Sequence, residues 1–136
     1  MLYTEAFKAL GYQLENVRQD WSAEKPDGIC ISIWKKEAAW TPPPPHVDFF
    51  ELYPEGGGEW TWKSGHKKRR DHLQRAIAEF QGVVDVVIVS GTPGESYEDA
   101  DPWFPAKRRN HVWKVTRFDP ASGLFRAEAI PTSKGH

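Results

Sequence analysis

The run VVDVVIV, Val83 to Val89, constrains this chain more than any other segment. Six of its seven residues are β-branched and fit a pleated backbone better than a helix. A near-continuous apolar run of this kind is expected of a strand buried on both faces, so it predicts the central strand of a sheet. The preceding segment has a different period. Leu73, Ala76, Ile77 and Phe80 recur at i, i+3, i+4 and i+7, one apolar stripe of a helix turned toward that sheet, and Gly82 follows where the helix must end.

The remaining elements are read around this pair. Thr4 is placed to cap a short N-terminal helix carrying Phe7 and Leu10, with Gly11 at its end. Leu14 to Gly28 reads as polar and irregular. Ile29, Ile31 and Ile33 alternate with Cys30, Ser32 and Trp34, the period-2 pattern of a strand. TPPPP, Thr41 to Pro45, cannot donate to a ladder and reads as a surface connection. VDFFELY, Val47 to Tyr53, alternates again and is expected as a strand. Trp60 and Trp62 lie two apart and would present both rings on one face of a short extended segment. Ser90 to Asn110 reads as a long loop, acidic from Glu95 to Asp101 and basic at Lys107, Arg108 and Arg109. HVWKVTRF and LFRAEAI flank the turn DPASG as a hairpin. The sum is a single α+β domain over residues 1–131 with a tail at 132–136, a curved mixed sheet packed by one main amphipathic helix and a short N-terminal helix. Closure of the sheet toward a barrel is left open.

Composition narrows the function classes. A length of 136 residues suits one core, and seven Trp with seven Phe provide the apolar surface for it. A net charge of −1 excludes a protein that coats polyanions by overall charge, while leaving room for a local basic patch. The single cysteine, Cys30, cannot form an intrachain disulfide, which suits a reducing compartment; a cytoplasmic location is expected. No apolar run approaches the roughly 20 residues that span a bilayer, and Glu5 and Lys8 interrupt any secretory core near the start.

The candidate site is the junction WTWKSGHKKRR, Trp60 to Arg70. Amides in a helix's first turn have no intrahelical partner and the macrodipole favours negative charge there, so a phosphate or carboxylate is readily held. Lys63, Ser64, His66, Lys67, Lys68, Arg69 and Arg70 surround this end, whereas a helix selected for stability alone would place acids there. On the helical wheel His66 and Arg69 share the line of Leu73 and Ile77 and are expected to face the sheet. Trp60 and Trp62 would stack a base; Trp34, Trp40, Trp103 and Trp113 are further candidates for a pocket wall. In the long loop, Trp103 could stack while Arg108 and Arg109 track a phosphate backbone. Each feature has a plainer reading: the basic run as a solvated face, the tryptophans as core.

Enzyme signatures are weak. A two-metal nuclease would need Glu-x-Lys after a strand carboxylate such as Asp48 or Glu51, but Glu59 and Lys63 are separated by three residues. His46, His66, His72, His111 and His136 have no zinc spacing and no cysteine pair accompanies them. No cofactor or metal is expected. The layout from Gly28 to Ile130, with the WTWKSGHKKRR segment, is similar to the PUA-like group, which includes EVE, ASCH and SRA-type readers of modified bases. That resemblance implies recognition of a modified or flipped-out base without catalysis. The expectation is therefore a non-catalytic nucleic-acid-binding module, with nucleic acid or another phosphate-bearing ligand as partner. Two alternatives remain open: an accessory domain docking on a protein partner, and a small enzyme using His66 near Asp71 or Asp85 on a phosphorylated small molecule.

Overall fold

A computed structural model describes residues 1–17, 19–56, 63–93 and 96–132. The elements are α1 (Tyr3–Ala9), β1 (Ser22–Lys25), β2 (Gly28–Trp34), β3 (His46–Asp48), α2 (Phe49–Leu52), α3 (Ser64–Phe80), β4 (Val83–Thr92), β5 (Ser96–Pro102), a 3-10 turn (Pro105–Lys107), β6 (His111–Phe118) and β7 (Phe125–Pro131). They form an α+β domain around one mixed sheet of order β1-β2-β4-β6-β7-β3, with β5 also paired to β4. The sheet is open; it does not close into a barrel.

The β-branched run is the hub. β4 pairs parallel with β2 on one side, Cys30 opposite Asp85 through Trp34 opposite Val89. On its other side Val83 and Val84 pair with β6, and Val87 to Thr92 pair with β5. Successive side chains divide between two cores as the pleat requires. Ile29, Ile31, Ile33, Val84, Val86 and Ile88 pack with Leu73 and Ala76 of α3 and with Phe125 and Trp113. Cys30, Val87 and Val89 pack on the opposite face against Ala6 and Phe7 of α1. The parallel β2–β4 pair needs a crossover, and the chain between them holds β3, α2 and α3.

Several expectations are corrected. The alternation in VDFFELY continues into a helix: β3 stops at Asp48, whose carboxylate accepts from the Phe50 and Glu51 amides and so caps α2. The expected irregular segment before Gly28 contains β1, whose sequence SAEK has little strand propensity and is held by its pairing with β2. The expected Ser90–Asn110 loop is largely structured, since β4 runs on to Thr92 and turns into β5. The cap of α1 is Leu2, and Thr4 lies inside the helix. On α3, Leu73 and Ala76 are buried as expected, but Ile77 is 44% exposed, because the buried face is centred one position away and includes His66, Arg69 and His72. The terminal hairpin stands: β6 pairs antiparallel with β7 from His111 opposite Pro131 to Phe118 opposite Phe125.

Polar groups on that helix face tie α3 to β1. Ser22 Oγ lies 2.6 Å from His72 Nδ1, and Glu24 Oε2 lies 3.6 Å from His72 Nε2. The order serine, histidine, carboxylate resembles a nucleophile assembly, but Ser22 is 1% exposed and no substrate can reach it. Burial lowers the pKa of His72, against the raising effect of Glu24, and burial lowers that of His66 as well. A histidine whose folded pKa is depressed stabilises the fold above its unfolded value, about 6.5, and that contribution is lost as pH falls through the folded value. Urea unfolding should therefore show stability declining below about pH 6.5, with His72→Gln flattening the decline. A profile flat from pH 7.5 to about 5 would contradict this assignment.

Candidate functional site

A cavity of about 490 Å³ opens where β1 stops short of the end of β2. β1 pairs with β2 only as far as Ile31, so Ser32 and Trp34 lie beyond it, and both line the cavity. Tyr3 of α1, the Asp20–Trp21 segment, Glu37, Phe49 and Tyr53 of the α2 region, and Lys63 and Arg69 of α3 complete much of the wall. The volume lies within the range of small-molecule sites, which combine apolar walls with a few placed polar groups.

Arg69 is the unusual member. It is 6% exposed, and its guanidinium carbon lies 5.0 Å from the Trp21 ring centroid, 5.2 Å from Phe49 and 5.1 Å from Phe125. Among the described residues no carboxylate is within ion-pair distance of it, and its Nε has no hydrogen-bond partner. Burial lowers its pKa to about 10, still far enough above neutrality to keep it a cation. Buried charges are normally paired, since an isolated one is costly to desolvate. Arg69 is thus a buried cation with rings on its flanks and an unpartnered Nε–H.

Opposite charge in the cavity is limited. Asp20, 3% exposed, is taken up by Lys68 at 2.9 Å and by the Asn16 amide at 2.8 Å. Glu37 accepts from the Tyr53 hydroxyl at 2.8 Å. Burial raises the Glu37 pKa while Tyr53 and Arg69 oppose that shift, and burial together with Glu37 pushes Tyr53 up to about 12. The Tyr3 hydroxyl donates to the Asp20 carbonyl at 2.9 Å and lies 3.0 Å from Ser32 Oγ, and burial raises its pKa. The cavity thus offers donors at Arg69 and Lys63 and an acceptor at Glu37, between aromatic walls.

The close approach of α3 depends on Gly65. A Cβ there would overlap the Gln19 carbonyl oxygen and come within 2.8 Å of the Trp21 indole. Gly65→Ala gains about 1 kcal/mol of helix propensity but overpacks against backbone at a cost of about 1–3 kcal/mol. We expect net destabilisation in chemical denaturation, together with altered Trp21 fluorescence; a stabilised variant would contradict this packing.

The expected site residues divide. Arg69 and Lys63 line the cavity, and Arg69 and His66 face inward as their place on the helical wheel requires. His66 Nε2 donates to the Ser122 carbonyl at 2.8 Å beneath the Gly123 turn and does not line the cavity. Lys67 is exposed, Lys68 is engaged by Asp20, Arg70 lies 3.7 Å from the exposed Asp71, and Ser64 donates to the Gln19 side chain at 2.9 Å. At this end Lys63 is the N-cap, its side chain makes no capping bond, and no acid occupies the first turn of α3. Trp60 and Trp62 fall outside the described residues. Trp103 sits in the core, edge-on to Trp113, with its Nε1 donating to the His111 carbonyl. Arg108 covers the Trp103 ring and pairs with Asp101 at 2.8 Å; Arg109 is exposed. These three do not line the cavity. Of the four further tryptophans, Trp34 alone lines it. Sequence reasoning missed Tyr3, Glu37 and Tyr53, and it favoured Trp21 as a lid over a core edge rather than a ligand platform; Trp21 lines the cavity. Glu37 and Tyr53 are sixteen residues apart and meet only through the fold.

Fold and site together define an α+β domain with a guanidinium-floored aromatic cavity. Comparison with family models, with curated proteins and with solved structures returns no match.

Proposed function

We propose that this protein is a non-catalytic nucleic-acid-binding module whose cavity takes an unstacked base. One observation carries the reading: the Arg69 guanidinium, buried against three aromatic rings, has no acceptor of its own among the described residues. A bare phosphate or carboxylate would satisfy Arg69 but would meet Glu37 in the same cavity. A neutral, planar group carrying both acceptors and donors suits the two together, and a base is such a group. Bases extruded from a strand are read by hydrogen bonds to their edges and by contact with aromatic side chains. The N-terminus of α3, with no acid in its first turn, Lys63 lining the cavity and Lys67 exposed beside it, suits the phosphates that flank such a base.

Intrinsic fluorescence titration with single- and double-stranded oligonucleotides, plain and base-modified, at two ionic strengths tests the reading. Saturable binding that weakens with salt is expected, and Lys63→Glu with Lys67→Glu should weaken it further by removing phosphate contacts. Absence of binding to any oligonucleotide at low salt would overturn it.

A further inference from the structure

We infer that the base this cavity takes is guanine, an inference that rests on the reading just proposed. A guanidinium presents N–H donors in a planar fork, and an ionised carboxylate presents only acceptors. Both occur in the cavity, Arg69 with its Nε unpartnered among the described residues and Glu37 with one oxygen engaged by Tyr53. No hydrogen bond to the other Glu37 oxygen is formed among the described residues. Both side chains line the same cavity, and they form no ion pair with one another. A ligand between them must therefore offer adjacent acceptors on one side and adjacent donors on the other.

The bases differ in this respect. Guanine carries N7 and O6 as neighbouring acceptors on its Hoogsteen edge, the pair an arginine most often grips, and the N1–H and N2–H donors on the adjoining Watson–Crick edge. It fills both forks. Cytosine offers N3 and O2 to a guanidinium but turns only one N4–H toward a carboxylate beside them. Adenine and thymine or uracil alternate acceptor and donor, so neither Arg69 nor Glu37 finds two adjacent matches. Leaving one buried polar group unmatched is what makes such a site reject the wrong ligand.

The test uses thymidine oligonucleotides carrying one central guest base, with guanine, adenine, cytosine, hypoxanthine and 7-deazaguanine compared by fluorescence anisotropy. Guanine is expected to bind tighter than adenine or thymine by about 5–150-fold, the range for a bidentate base contact. Hypoxanthine, which lacks the N2 amine, and 7-deazaguanine, which lacks N7, should each fall between. Glu37→Gln should narrow the difference between guanine and hypoxanthine while leaving that between guanine and 7-deazaguanine. Equal affinity for every guest, or tightest binding to another base, overturns the inference and leaves the nucleic-acid reading standing. No binding of any oligonucleotide overturns both.

Discussion

Replacing Arg69 with Met is expected to weaken oligonucleotide binding on the order of 100-fold or more while changing the unfolding free energy by less than about 1 kcal/mol. The binding loss follows from two charge-assisted hydrogen bonds, each contributing about 1.5–3 kcal/mol. The small stability change follows from opposed effects. Burying a guanidinium without a counter-ion costs several kcal/mol, and the rings of Trp21, Phe49 and Phe125 offset this through cation–π contacts of up to about 2 kcal/mol each when desolvated. Methionine loses both contributions and keeps favourable contact with the same rings. Urea denaturation and anisotropy on the same samples read the two quantities separately. A variant destabilised by about 3 kcal/mol or more would place Arg69 among the fold's structural groups instead.

Trp113→Ala is expected to show the reverse pattern, a loss of about 3–5 kcal/mol of stability with the cavity's ligand preference intact in whatever protein remains folded. Trp113 is 0% exposed and meets Trp40 and Trp103 edge-on, with centroids 6.4 and 5.5 Å away. Its Nε1 is buried with no hydrogen-bond partner among the described residues. Trp113→Phe should therefore cost less than about 1.5 kcal/mol, since the smaller ring removes an unpaired donor along with some packing. Thermal and urea unfolding of both variants would check this. A phenylalanine variant as unstable as the alanine one would mean that the indole N–H makes a bond of consequence.

How far the fold was legible follows from where its information lies. The β-branched run and the alternating isoleucines encode β4 and β2 locally, because burial on one or both faces writes itself into the residues. Strand β1 does not: SAEK is a strand because β2 offers it a ladder, and pairing leaves little trace in composition. The same holds for SYEDADP, an acidic stretch that becomes β5 by pairing with β4. FFEL could have been read as a helix from Asp48, whose capping role is a local signal, though four residues fit a period of 2 and of 3.6 equally well. Ile77 was misplaced for a related reason. An apolar stripe drawn through Leu73 and Ile77 gives no weight to buried polar residues, and this helix buries His66, Arg69 and His72.

The site was half legible. The breach of ordinary charge placement at the start of α3 drew attention to the run and the helical wheel singled out His66 and Arg69; Arg69 lines the cavity together with Lys63, while His66 is turned to the Ser122 carbonyl. The charge run as a whole did not distinguish Arg69 and Lys63 from Lys68, which serves Asp20, or from Arg70, which lies beside Asp71. What separates them is direction on the helix together with the distant partners Tyr3, Trp21, Glu37 and Tyr53, brought together only by the packing of α1, α2 and α3 around the end of β2.

Side-chain ¹H–¹⁵N spectroscopy of the Arg69 Nε–H during an oligonucleotide titration tests most directly whether Arg69 is held for a ligand's acceptor. That resonance is expected to move and saturate with the same affinity as the anisotropy signal. Saturable binding that leaves the Arg69 resonance in place, with shifts confined to the exposed Lys63 and Lys67, would contradict it.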